Sequence, residues 1–246
     1  MRRNTSESGV TLMEMLISVV LLSFLSVGIL FAMRVGLQSM DKANTHLMSN
    51  RRVVGSQRVL EQQIRGLMLV TAECSQGPGM PMSARIPFFQ GRPQLMRLVS
   101  NYSLEEASRG TPRILEFMVI PGVENKGVRL VVNEYPYSGP RSTGSFCLGV
   151  GPDPMTGFVG PIFRPAEPSP RSFVLADKLA YCRFVYRETM LLPLPDRWLP
   201  QWIKQELPSA IRVEMAPLDG GPASLHVMSV TLPVRIDKDP TRIYAD

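Results

Sequence analysis

Gly9-Val10-Thr11-Leu12-Met13-Glu14 opens the stretch that decides the fold, and behind it the chain runs to Met33 with Glu14 as its one charged residue. As an α-helix at ~1.5 Å per residue, the block from Val10 to Met33 would be roughly 36 Å long, enough to cross a ~30 Å hydrocarbon layer. Arg2 and Arg3 precede it. Basic residues are retained on the cytoplasmic side, so everything beyond Arg34 is expected on the far face. In a bacterium this predicts a single-pass inner-membrane protein, N-terminus cytoplasmic and C-terminal domain periplasmic. A secretory signal peptide fits less well, because the block exceeds the usual ~7–15-residue apolar core, ends in no A-x-A-like tripeptide and carries a carboxylate near its start. That carboxylate either snorkels to the headgroups or is functional and needs a partner, the default for an ionisable group in a membrane segment.

The helical pattern continues past the apolar block. Met40, Ala43, Leu47, Val54, Leu60, Ile64 and Leu67 recur at spacings built from threes and fours, with Asp41, Lys42, Arg51, Arg52, Arg58, Glu61 and Arg65 between them. One amphipathic helix from about Val10 to about Leu69 is predicted, its second half covering a sheet and its arginines on a solvated face. Gln76-Gly77-Pro78-Gly79-Met80-Pro81 then breaks the period. Runs rich in Val, Ile, Phe and Tyr follow at Leu95–Asn101, Arg113–Ile120, Gly127–Tyr135, Leu179–Glu188, Ala210–Met215 and Ser224–Ile236, each bounded by turn residues. No crossover helix separates them, so the sheet is expected to be antiparallel. Alternation in Ala210–Met215 predicts one buried and one wet face. Leu225, Val227, Met228, Val230, Leu232 and Val234 predict a strand buried on both faces. The Gly- and Pro-rich Pro136–Arg171 stretch is expected to form long loops. The fold class is therefore α+β, a long N-terminal helix packed on an antiparallel β-sheet domain.

With 246 residues, 44% hydrophobic and 20% charged, the chain is neither disordered nor collagenous. Its net charge of +6 is spread along its length rather than gathered in an arm, which argues against nucleic acid as a partner. His46 and His226 flank no nucleophile, no G-x-S-x-G elbow occurs, and Gly149-Val150-Gly151 lacks the lysine of a phosphate loop. Cys74, Cys147 and Cys182 have no zinc-ligand spacing; in an oxidising compartment they allow one disulfide by any of three pairings, and simple burial of all three is equally open. Asp237, Asp239 and Asp246 lack the spacing of a calcium loop. No catalytic residue, metal or cofactor is expected, and the chain is read as a non-enzyme.

The run from Gly9 to Glu14, with its basic leader and apolar helix, resembles the prepilin-peptidase recognition motif of type IV pilins and type II secretion pseudopilins. The resemblance implies a leader over 1–9, cleavage between Gly9 and Val10, and N-methylation of Val10. Val10 stands where that family usually has phenylalanine. Glu14, five residues into the mature chain, would then pair with the N-terminal amine of a neighbouring subunit during filament assembly, which relieves a carboxylate stranded in lipid. In the C-terminal third, Leu179–Glu188, then Trp198 and Trp202, then Leu207-Pro208-Ser209-Ala210-Ile211-Arg212-Val213-Glu214-Met215 resembles the J-type minor pseudopilin of type II secretion systems. The two tryptophans are expected to pack on one helical turn against the sheet, with a contact to a partner as the alternative. The implied layout is leader 1–9, transmembrane and filament-core helix 10–33, periplasmic helix 34–70 and β-rich globular domain 71–246, a pilin-like arrangement. The implied partners are I-type and K-type minor pseudopilins, possibly an H-type one, the prepilin peptidase, the inner-membrane secretion platform and the lipid bilayer. A minor pilin of a type IV pilus or DNA-uptake system, and a membrane-anchored periplasmic enzyme, are the competing expectations.

Overall fold

The computed structural model describes residues 11–74, 84–152, 157, 159–190, 194–204, 206–218 and 228–234, without the side chains of 42 and 45–54. An N-terminal helix, α1 (Leu12–Arg65), is followed by an antiparallel β-domain, an α+β layout consistent with a pilin-like fold. The chain divides into two compact units, Met1–Ser49 and Asn50–Asp246.

In the first unit the helix presents Leu12, Phe24, Leu30, Phe31 and Met40 as exposed apolar side chains. Leu12–Asp41 is long and apolar enough to span a membrane, with a mean hydropathy of 2.6 and none of its most apolar window buried in the protein. Its serines fit that environment. Ser18, Ser23 and Ser26 each donate a hydroxyl hydrogen bond to the carbonyl four residues back, at 2.7, 2.8 and 2.8 Å, so no hydroxyl proton is left to seek water.

In the second unit the last turns of α1 bury Ser56, Leu60, Gln63 and Ile64. The helix stops four residues short of the expected Leu69. Gly66 ends it: a Cβ there would lie 2.5 Å from Oδ1 of Asn101 and 2.7 Å from Oγ of Ser100. A side chain there would have to push the Asn101 and Ser100 side chains aside, and the Asn101 backbone amide donates to the Gly66 carbonyl at 2.8 Å.

The strands are β1 (Leu67–Met68), β2 (Thr71–Cys74), β3 (Ala84–Pro87), β4 (Gln90–Gly91), β5 (Leu95–Ser103), β6 (Ser108–Pro121), β7 (Val128–Pro136), β8 (Cys147–Pro152), β9 (Val159–Phe163), β10 (Phe173–Glu188), β11 (Arg197–Leu199), β12 (Ala210–Pro217) and β13 (Met228–Pro233), with a one-turn helix α2 (Pro140–Gly144) before β8. Nine of them form one sheet in the order β1-β5-β6-β7-β10-β12-β13, with β4 also on β5 and β11 on β10; β2-β3 and β8-β9 are separate two-stranded sheets. Period-two alternation sorts the sheet into two faces. On the inner face the cross-strand rows Met96–Phe117–Val132 and Tyr186–Ile211–Leu232 meet Leu60, Ile64 and Leu67 in the main core. Against the outer face lies a smaller core of Val70, Ala72, Cys74, Phe88, Val99, Ile114 and Phe146.

Three expectations are corrected. Pro136–Arg171 is not loop alone, because it holds α2 and the β8–β9 hairpin that forms part of the second core. β13 is not buried on both faces: Ser229, Thr231 and Pro233 are exposed, while Val230 and Val234 are half-buried and Leu232 is buried. It is the last strand of the sheet, paired only with β12 among the described residues, and a last strand needs one apolar face. Trp198 and Trp202 share no helical turn, since Trp198 lies in β11 and Trp202 makes an isolated bridge to Gly91.

Candidate assembly site

The first described residue, Thr11, caps the apolar helix. Its hydroxyl accepts a hydrogen bond from the Glu14 amide at 3.3 Å, and its carbonyl accepts from the same amide at 3.0 Å. Thr11-Leu12-Met13-Glu14 has the spacing of a capping box, with Glu14 in the first turn where the helix dipole favours an anion. Capping was not read from the sequence, although threonine three residues before glutamate signals it. The carboxylate thus has a local reason to sit at the helix start, and it stands at the head of a wholly exposed apolar surface. Gly9 and Val10, the expected cleavage and methylation site, lie outside the described residues, as do Arg2, Arg3, His226, Asp237, Asp239 and Asp246.

Of the three cysteines, the structure joins Cys74, at the end of β2, to Cys147, at the start of β8, with the α-carbons 5.4 Å apart. The bond ties β2, the second strand after α1, to the outer hairpin across 73 positions of sequence. α2 reinforces the junction, because the Thr143 hydroxyl donates to the Thr71 carbonyl at 2.9 Å. Cys182 remains a buried thiol in the main core, and burial pushes its pKa up to about 12.

A row of polar residues, Arg97, Glu116 and Asn133, runs across β5, β6 and β7 on the outer face and holds the segment containing α2 and the β8–β9 hairpin. Arg97 Nε donates to Glu116 Oε1 at 2.6 Å, Nη1 to Gln90 Oε1 at 2.5 Å and Nη2 to the Arg164 carbonyl at 2.6 Å. Asn133 donates to Glu116 and to the Glu167 carbonyl, and accepts from the Ser172 hydroxyl. The guanidiniums of Arg97 and Arg164 lie over the Phe146 ring, at 5.9 and 4.0 Å from its centroid. Burial pulls the Arg97 guanidinium below its ordinary pKa while Glu116 opposes that shift. The alternation of β5 places Arg97 on the face opposite Met96 and Leu98, so its position was legible in the sequence; its burial was not.

The tryptophans both meet the β10–β12 region. The Arg212 guanidinium stacks 3.7 Å from the centre of Trp198. Trp202 is buried, its indole N–H donating to the Glu206 carbonyl at 2.5 Å and its amide to the Gly91 carbonyl at 2.8 Å. A Cβ on Gly91 would lie 2.7 Å from Tyr186 and 2.9 Å from Trp202, so this glycine permits their packing.

Compared with models of known families and with curated proteins, the sequence matches none.

Proposed function

We propose that the chain is a minor pseudopilin of a type II secretion system, cut after Gly9, methylated on Val10 and drawn from the inner membrane into the tip of a periplasmic pseudopilus. The observation that carries this reading is Glu14, the one carboxylate at the head of the apolar stretch Leu12–Asp41, whose side chains find no burial among the described residues. In lipid such a carboxylate is poorly accommodated, and a neighbour's terminal amine neutralises it, so incorporation into a filament relieves the membrane-inserted state. The Cys74–Cys147 disulfide supports placement of the β-domain in an oxidising compartment, which in a bacterium is the periplasm. I-type and K-type minor pseudopilins are the neighbours this reading assigns; the prepilin peptidase and the inner-membrane platform act on the chain before and during extraction.

Glu14→Leu tests the assembly role. The variant should insert and fold as the parent does, yet fail to cross-link to its filament neighbours in cells. Undiminished cross-linking would contradict the proposal and leave the helix as a plain anchor.

A further inference from the structure

The bonded cysteines, Cys74 and Cys147, are the first two of the three in the chain, and Cys182 is the last. The smaller core around the bonded pair draws every described member from between Met68 and Phe163. The strands beneath it, β5, β6 and β7, are consecutive and pair in sequence order. The hydrogen bonds that hold the outer layer to Arg97 and Asn133 reach no further than Ser172. What brings Cys74 and Cys147 together is thus encoded ahead of β10, the strand that carries Cys182 into the main core. Cys74 is fully buried and Cys147 half-buried, so a protein-sized reagent has no access to Cys74 once the outer layer is in place.

We propose that the Cys74–Cys147 bond is made on the emerging chain, before Cys182 arrives, by exchange with the disulfide of a thiol oxidoreductase, and that cysteine order alone gives the native pairing without later reshuffling. This rests on the reading above, in which the N-terminal helix anchors the chain and the β-domain follows it, N-terminal part first, into an oxidising compartment. The Cys74 thiolate attacks one sulfur of the oxidoreductase disulfide, giving a mixed disulfide and freeing the other sulfur as a thiolate. The Cys147 thiolate then attacks the Cys74 sulfur, which closes the bond and releases the oxidoreductase. Two electrons pass to the oxidoreductase, which leaves as a dithiol carrying the two protons lost by the cysteines. Order matters because chain length alone selects another bond. Cys147 and Cys182 stand about half as far apart in sequence as the native pair, so closure in a complete unfolded chain favours joining them by about threefold. That bond is incompatible with the fold, since Cys147 packs with the outer core and Cys182 lies in the main core on the other face of the sheet.

The test changes the order of the cysteines and keeps their number. The full chain is expressed in cells with and without a periplasmic disulfide isomerase, its free thiols are blocked in acid-quenched samples, and the bonded pair is identified by peptide mass mapping. The parent and Cys182→Ala should carry Cys74–Cys147 at equal yield in both strains. The double variant Lys126→Cys, Cys182→Ala places the third thiol between the native pair, at a side chain that is 72% exposed and holds only the exposed Glu124. Its native bond should fall several-fold without the isomerase, replaced by bonds to the introduced thiol, and should recover when the isomerase is present, which shows that the variant folds. A parent that needs the isomerase, or a reordered variant that pairs correctly without it, would overturn the proposal. The first of these leaves the compartment reading intact, because the native bond still forms; three free thiols in the parent would remove both.

Discussion

Arg97 Nε lies 2.6 Å from Glu116 Oε1, and both side chains are essentially inaccessible to solvent. The two face each other across β5 and β6 and carry the segment from α2 to Ser172 on the outer face of the sheet. Removing one partner strands the other charge in a desolvated site. Arg97→Met should therefore destabilise the β-domain by ~3–5 kcal/mol, whereas the double variant Arg97→Met, Glu116→Leu should recover much of that loss. Unfolding followed by the fluorescence of Trp198 and Trp202 measures both. A double variant no more stable than the single one would show that the remaining hydrogen bonds, not the charge pair, hold the layer.

Cys74→Ser removes the cross-link between β2 and β8 and should cost about 2–5 kcal/mol of β-domain stability under oxidising conditions. Native protein should react with no thiol reagent at pH 8, because two cysteines are bonded and the third, Cys182, is buried with its pKa pushed up to about 12. A denatured, unreduced sample should release a single thiol. Cys182 favours folding up to the ordinary thiol pKa, and that contribution fades as the pH rises towards about 12.

Gln63 is fully buried on α1, and neither its amide nitrogen nor its oxygen is hydrogen-bonded among the described residues. An unsatisfied buried amide costs about 1–3 kcal/mol, so Gln63→Leu should raise the thermal midpoint of the β-domain. A fall in the midpoint would mean that the amide has a role in the folded chain beyond filling space.

Lys204 holds the Glu188 carboxyl below the ordinary carboxylate range through a hydrogen bond, with Arg197 adding attraction. In Lys204→Gln the Glu188 titration, followed by NMR, should move upward. The pair's small contribution to stability is present above the ordinary carboxylate pKa and is lost as the pH falls through the lowered one.

The long helix, the antiparallel sheet and the six main strands were legible from helical spacing, from runs of Val, Ile, Phe and Tyr and from the turn residues that bound them, although the two-sided burial expected for β13 was not found. Arg212 and Glu214 alternate with Ile211, Val213 and Met215 in sequence, and the buried set is the apolar one. Short strands carried too little pattern. β1 and β4 have two residues each, and β8 and β9 contain glycine and proline that read as loop; these elements exist through tertiary pairing, with the disulfide and Arg97 holding the hairpin in place. Gly66, which ends α1, was visible as a glycine following Arg65, but the close approach that favours it depends on Ser100 and Asn101 arriving from another strand. At the candidate site, the sequence placed Glu14 at the start of the apolar block and left the cysteine pairing open, since pairing is decided by where β2 and β8 meet in space.

The central claim is that Gly9 and Val10 form a processing site and that the mature chain enters a filament through Glu14. It is tested most directly by co-expressing the chain with a prepilin peptidase and determining the mass and N-terminal sequence of the membrane-fraction product, with Gly9→Leu as control. The account predicts a mature chain that begins at Val10, carries one added methyl group and is absent from the control. Retention of Met1–Gly9, or cleavage beyond Met33, would contradict it.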